Sequence, residues 1–260
     1  MGKWIRRIKK YYEYMVTKLH VLREQKHFRE DGTDLKYMYK PAAGAKNLAV
    51  VFSACTRPGL AARYNYVRTL DGISCNRLYI LDDFGPDRRG SYYLGRLPEF
   101  REQEAVLKLV QKVIDETNPE KVLFCGSCKG GYGALNIGSR FRDAIMIIGE
   151  PTYRIATEFG PEEGLMRYWM GEITEENIAY MDNYLSNQLR TNPYITGQKV
   201  YLFYSVKDEY FERHTKPLLK NLEESGYRME KEEAEFTAHS ELSLYFPDFL
   251  RSNVMKACQR

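Results

Sequence analysis

Two hydrophobic rhythms divide the chain. In the first, Trp4, Ile8, Tyr11, Tyr12, Met15, Leu19 and Leu22 recur at intervals of three and four residues. That is the spacing of one helical face, and it predicts an amphipathic helix within residues 1–30. From residue 34 onward, short apolar runs alternate with longer helical periods. Strands are expected at Leu35–Tyr39, Leu48–Phe52, Arg77–Leu81, Val122–Cys125, Ala144–Ile148, Val200–Tyr204 and Tyr227–Glu232. Between the third and fourth of these, Val106, Leu109, Val110, Val113 and Ile114 mark a helical face that must stop before Asn118-Pro119, because the residue preceding a proline is pushed out of the helical region.

The runs NLAVVFS, KVLFCGS and DAIMIIG are apolar at both alternating sets of positions. A strand in a mainly parallel sheet, covered by helices on both sides, has that pattern. Alternating strands and helices predict an α/β doubly wound architecture over residues 31–260. The interval between Gly149 and Val200 is too long for a simple crossover, and its helical stretches near Pro161–Met170 and Thr174–Leu189 predict an inserted helical cap at about residues 151–196.

Composition supports a globular chain: 43% of the 260 residues are hydrophobic and 28% charged, unlike a disordered tail or a small disulfide-stapled scaffold. No apolar run approaches the ~18–20 residues of a membrane-spanning helix. The start, MGKWIRRIKK, is basic but is not followed by the apolar block of a secretory signal. Arg6 occupies the position where a myristoylation signal needs Ser or Thr. Five cysteines are an odd number without framework spacing, which favours free thiols and a cytoplasmic location.

The charge is uneven. Nine Lys/Arg against three Glu in residues 1–30 give +6, so the remainder of a chain of net charge +4 carries −2. A main body so nearly neutral is a poor nucleic-acid binder. The basic, Trp-bearing first segment is read as a helix docked on the domain, with peripheral contact to an anionic membrane through residues 1–26, or a protein partner, as the alternatives.

The chemistry concentrates in KVLFCGSCKGGYGALNIGSRF, where a buried strand runs into Gly126-Ser127-Cys128-Lys129-Gly130-Gly131 and then a helix rich in small residues. In a strand-to-helix turn of the form G-x-nucleophile-x-G, the positions two before and two after the apex must be small. Gly126 and Gly130 flank Cys128 in that register. With Ser127 at the apex the flanking residues would be Cys125 and Lys129, and Lys129 is too large. The register selects the thiol of Cys128.

Chain order adds a histidine and an acid. KVYLFYS is followed by Asp208, and YRMEKEEAEF by His239, so nucleophile, acid and histidine each follow a successive strand. Of the other histidines, His20 and His27 lie in or beside the first helix, and His214 is expected on a solvated helical surface. Cys125-Gly-Ser-Cys128 also reads as C-x-x-C, so a thiol-disulfide oxidoreductase is a competitor, although Cys125 ends a buried strand. No second cysteine pair or histidine cluster supplies a zinc site, and no metal is expected.

With Gly126–Gly131, Asp208 and His239, the order of elements from Leu48 to Leu250 resembles the α/β hydrolase superfamily. The G-S-x-K-G-G-Y elbow, ILDDFGPDRRGSYYLG and the AHSEL ending are similar to a bacterial branch associated with capsular-polysaccharide biosynthesis and accessory secretion. That branch usually has Ser where this chain has Cys128. Dienelactone hydrolases and polyhydroxyalkanoate synthases resemble it in having G-x-C-x-G-G.

The resemblance implies an acyl hydrolase or acyltransferase without a cofactor, acting on an ester or thioester of a small molecule or saccharide. Cys128 would attack, His239 would move the proton, and Asp208 would orient the imidazole. The oxyanion would be met by the backbone N–H of Lys129 and of Ala54 or Cys55. The helix N-terminus, Lys129 and His239 are expected to favour the Cys128 thiolate. Arg88, Tyr92 and Tyr93, with Arg89, Tyr64 and Tyr66, are candidates for substrate contact. Cys75 and Cys258 are expected to be inert, and Cys55 to be a packing residue near the site. A non-catalytic binding or assembly role on the same fold is the other class, since fold does not fix function.

Overall fold

The computed structural model describes Val21, residues 23–159 and residues 164–259. Most of the expected N-terminal helix lies outside these residues. Its last part is not helical: Lys26–Glu30 form strand β1, which pairs antiparallel with β2 (Thr33–Lys40). A helical period read through residue 30 missed this hairpin because Asp31-Gly32, its turn, lies beyond the apolar stripe.

Six further strands complete the sheet: β3 (Asn47–Phe52), β4 (Asn76–Leu81), β5 (Lys121–Ser127), β6 (Ile145–Gly149), β7 (Lys199–Tyr204) and β8 (Arg228–Glu233). Their spatial order is β1-β2-β4-β3-β5-β6-β7-β8. Only β1–β2 and β2–β4 are antiparallel, and the remaining pairs are parallel. The strand order turns back around β3 and β5, the kind of switch point outside which α/β sheets form their ligand sites.

The two-faced apolar runs behave as predicted. Leu48, Val50 and Phe52 pack on one side of the sheet and Ala49 and Val51 on the other. The first side is covered by α1 (Arg101–Thr117), α2 (Lys129–Gly138), α3 (Gly164–Met170), α4 (Glu175–Arg190) and α5 (Lys216–Ser225). The second is covered by α6 (Leu242–Gln259), through Phe246, Phe249, Leu250 and Val254. Helix α1 ends at Asn118, which takes a left-handed conformation (φ 41°) before Pro119.

The segment expected to be a cap divides in two. Helix α4, whose N-terminus is capped by the Thr174 hydroxyl accepting from Asn177 N–H at 3.2 Å, is the crossover between β6 and β7. It lies in the helical layer against α2 and α5. Phe159 and α3 instead lie on the site side, where Trp169 donates its indole N–H to Ser91 O (3.0 Å) and Phe159 meets the Tyr92 ring. Among the described residues no helix is long and apolar enough to cross a membrane.

Candidate active site

Strand β5 delivers Cys128 to the turn before α2 with φ 52° and ψ −122°, a conformation that L-residues avoid and that persists only when surrounding contacts enforce it. Those contacts are close. A Cβ on Gly126 would stand 2.3 Å from Gly130 O, and one on Gly130 would stand 2.7 Å from Phe52 O. Both positions must therefore be glycine. A helical glycine costs roughly 1 kcal/mol relative to alanine, and here it is the condition for strand and helix to meet. Cys128 N–H donates to Gly149 O at 2.9 Å, tying the turn to the end of β6.

The neighbouring parallel strands end beside this turn. His239, after β8, presents Nδ1 to Asp208 Oδ2 at 3.2 Å, as expected, and also to Glu150 Oε2 at 3.1 Å. Glu150, directly after β6, was not anticipated. Its side chain is fully buried, its φ is 33°, and its other oxygen accepts from Ser205 N–H at 2.9 Å. The available signal was a carboxylate placed straight after the all-apolar run IMIIG, on the strand adjacent to the elbow.

Burial pushes the Glu150 carboxyl up to about 7, and contact with Asp208 pushes the same way, against the pull of His239 and the Ser205 N–H. Burial alone would lower the His239 pKa. The carboxylates outweigh it, Glu150 foremost, and the imidazole is held above its ordinary value. Glu150, Asp208 and His239 each present one ligand atom within 4.8 Å of the others and are the described residues that could hold a metal ion.

The thiol environment differs from the expectation. Cys128 Sγ lies 3.7 Å from Thr152 Oγ1 and interacts with the thiol of Cys55, and among the described residues no hydrogen bond joins it to His239. The shared hydrogen bond with Cys55, and then burial, push the Cys128 thiol up rather than down. The same contact lowers Cys55 to about 6, aided against burial by the charges of Lys129 and Arg89 and by the Tyr92 hydroxyl. Cys55 is thus no packing residue. It is exposed, with Sγ 4.0 Å from Tyr92 Oη.

Lys129 does not offer its ammonium to the thiol either. Its Nζ is buried against Asp82 Oδ2 (3.0 Å), Asp82 O (3.1 Å) and Arg89 O (2.8 Å). Its backbone N–H, by contrast, points at the Cys128 sulfur, as an oxyanion donor would. Ala54 N–H is already given to Asn65 Oδ1 at 2.9 Å, which leaves Cys55 as the donor of that turn.

Of the proposed substrate contacts, only Tyr92 reaches the thiols, its hydroxyl also donating to Thr152 Oγ1 at 3.4 Å. Arg88 lies at the surface paired with Asp83 (3.0 Å). Tyr93 is buried, its hydroxyl donating to Ser53 O and Ile80 O at 3.2 and 3.3 Å. Tyr66 bonds Ser127 Oγ at 2.5 Å, and Tyr64 donates to Gln25 Oε1 at 3.2 Å. A cavity of about 310 Å³ opens beside Cys55, lined also by Asp87, Arg89, Tyr92, Phe159 and Leu165.

His214, expected on the surface, is 2% exposed. Its Nδ1 accepts from Tyr153 N–H at 3.1 Å, so the ring proton sits on Nε2 and is given to Glu158 Oε2 at 2.9 Å. Tyr210 stacks on His239 with ring centroids 3.7 Å apart, meets the His214 ring at 4.8 Å, and donates its hydroxyl to Glu158 at 2.8 Å. The C-x-x-C reading fails on position. Cys125 packs into the opposite core with its thiol pushed up by burial, and the partner of Cys128 is Cys55. Cys75 and Cys258, expected to be inert, interact with each other, which lowers the Cys258 thiol.

No family model matches the chain, and no curated protein matches it in sequence. Solved structures do match. The capsule O-acetyltransferase of Neisseria meningitidis serogroup A, in complex with CoA, aligns at a TM-score of 0.74 and 20% identity over 88% of this chain and 94% of its own. The Glycosylation Associate Protein (Gap123) complex from Streptococcus agalactiae aligns at 0.72 and 17% over 90% of this chain and 46% of its own. An S-formylglutathione hydrolase from Agrobacterium tumefaciens aligns at 0.65 and 10% over 91% and 94%. With the strand order and the elbow, these likenesses establish that the chain has the α/β hydrolase fold.

Proposed function

We propose that the chain is an acyl-transfer enzyme, hydrolase or acyltransferase, with Cys128 as nucleophile, His239 as base and Asp208 as the acid that orients it. The observation that carries this reading is the strained apex of Cys128 at the end of β5, with an acid-bound histidine at the ends of the strands that follow. Catalytic contacts often tighten only when substrate binds, so the absence, among the described residues, of a Cys128–His239 hydrogen bond at rest is compatible with this role.

His239 takes the Sγ proton as sulfur attacks the acyl carbon, and the N–H groups of Lys129 and Cys55 receive the oxyanion. The leaving oxygen or sulfur departs with that proton, leaving a Cys128 thioester. His239 then deprotonates water or an acceptor hydroxyl, which attacks the thioester and returns the proton to Sγ. The likeness to a capsule O-acetyltransferase with CoA and to an S-formylglutathione hydrolase supports thioester donors, and the Arg89- and Tyr92-lined cavity suits a polar acceptor such as a saccharide. Activated acyl esters and acyl-CoA, with and without polysaccharide acceptors, are the test. Acyl release or transfer that disappears in Cys128→Ala supports the reading, and turnover unaffected by that change overturns it.

A binding or assembly role is favoured by one observation: the resting Cys128 thiol faces Thr152 and the Cys55 thiol, with no hydrogen bond to His239 among the described residues. It predicts no acyl-enzyme mass with any donor.

A further inference from the structure

Two carboxylates reach the same nitrogen. Glu150 Oε2 and Asp208 Oδ2 stand 3.1 and 3.2 Å from His239 Nδ1, and neither side chain is exposed to water. One N–H cannot satisfy two buried anions so close together, and like charges in one site push one of the pair to keep its proton. We propose that Glu150 is a second acid of the His239 site, a positioning residue that shares one proton with Asp208 and can hold the imidazole in its place.

Three independent features converge on this assignment. Glu150 sits at the end of β6, between the strand that delivers Cys128 and the strand that precedes Asp208. Its backbone is held at φ 33°, with its N–H fixed to Phe203 O at 3.0 Å, a strain unexpected for a residue that merely ends a strand. Its free carboxylate oxygen is anchored by Ser205 N–H, so the side chain has one orientation. The direction of its titration agrees, since burial and Asp208 both hold its proton on toward neutral pH.

The protons follow. While His239 is neutral, Glu150 donates its O–H to Asp208, and Asp208 accepts from Nδ1–H. When His239 takes a proton on Nε2, the new imidazolium stabilises ionised Glu150, whose proton is then released to solvent. The other groups around His239 are Tyr210 stacked on its face, Glu158 and His214 behind Tyr210, and Glu241 on its own turn, where it accepts from Thr237 and Ala238 N–H at 3.0 and 3.2 Å. Cys128 and Cys55 lie toward Tyr210. None of these has a carboxylate on Nδ1.

The catalytic part of this inference rests on the acyl-transfer reading, but its main test does not. Histidine resonances of the full chain are titrated by NMR in the parent, Glu150→Gln, Asp208→Asn and the double variant, with His239→Gln for assignment. Each single variant is expected to lower the His239 midpoint by at least about 0.5 pH unit, and the double variant to lower it further. The carboxyl carbon of Glu150 in the unmodified protein is expected to titrate near 7, which decides the matter even if a variant fails to fold. An unmoved His239 midpoint in Glu150→Gln, or a Glu150 carboxyl titrating at the ordinary 4.5, overturns the proposal.

If acyl turnover is found, Asp208→Asn should lose on the order of 10-fold. A lone triad acid costs about 10⁴-fold when it is made an amide, and the double variant should approach that loss. Equal losses in the single Asp208 variant and the double would also overturn Glu150 as a second acid. A protein that turns over no acyl substrate but shows the NMR shifts would sink the acyl reading and leave the carboxylate pair standing.

Discussion

Lys129 Nζ and Asp82 Oδ2 stand 3.0 Å apart with both side chains closed to water. The pair joins the residue after Cys128 to the end of β4. Asp82 also accepts the N–H groups of Ser91 and Tyr93 at 2.8 and 3.1 Å, so one carboxylate latches the 88–93 loop to the elbow. Removing one partner leaves the other as an uncompensated buried charge, which costs about 3–5 kcal/mol. Asp82→Ala or Lys129→Ala should therefore lower Tm by about 10 °C. The double variant should lose less than the sum, and additive losses in calorimetry would show that the two act separately.

The elbow tolerates no side chain at its flanks. Gly126→Ala places a methyl 2.3 Å from Gly130 O, and the obstructing atom is backbone that cannot swing away. Expression of soluble Gly126→Ala protein with parental Tm would contradict the close approach.

Reagents that alkylate thiols should find Cys55 first, although Cys128 is the proposed nucleophile. Cys55 is exposed and titrates at about 6, whereas the Cys128 thiol is pushed up. Peptide mapping after brief iodoacetamide treatment should show a Cys55 rate rising through about pH 6. Cys128→Ala should move that midpoint upward by removing the donor to the Cys55 sulfur. Preferential labelling of Cys128 would reverse the assignment of the shared proton.

For the reaction itself, Cys128→Ala and His239→Ala should each abolish acyl turnover at near-parental Tm, because groups acting as one unit fail together. Steady-state kinetics on any accepted ester or thioester are the measurement, and substantial residual rate in His239→Ala would remove the histidine from the mechanism.

Stability should depend on pH with a definite sign. The folded chain keeps the Glu150 proton up to about 7, while the unfolded chain releases it near 4.5. Between those values the native state binds more protons, so stability falls as pH rises. His239, also raised, contributes stability that is complete below 6.5 and is lost as pH passes its folded value, which acts in the same direction. Glu158, held below its ordinary value although burial opposes this, contributes only by losing stability below about 4.5. Thermal unfolding should therefore give its highest Tm near pH 5 and a decline from pH 5 to 6, which Glu150→Gln makes shallower; above pH 6 the Cys55 thiol, lowered from 9.0 to about 6, adds stability as pH rises and opposes the decline. A Tm that climbed from pH 5 to 6 would contradict the raised Glu150 carboxyl.

The sequence showed what is local and periodic. Strands β3, β5 and β6 are apolar on both faces because both faces are covered, and the Gly126/Gly130 register is a steric requirement visible in one dimension. Asp208 and His239 followed from chain order. What stayed hidden depends on which strands become neighbours: Glu150 is separated from His239 by most of the last third of the chain, and Cys55 from Cys128 by two strands and α1. The direction of the thiol shift was misread for the same reason. Lys129 is adjacent to Cys128 in sequence, but its ammonium is turned away to Asp82, which no local pattern reveals.

The stack of Tyr210 on His239 has a kinetic meaning beyond the site. Tyr210 follows β7, and His239 follows β8, a charged edge strand, RMEKEE, that among the described residues pairs only with β7. Parallel strands cannot pair through a tight turn and must wait for their crossovers. The ring-current shift that Tyr210 imposes on His239 is thus a marker of β8 docked on β7, and its return during refolding times that docking without any substrate.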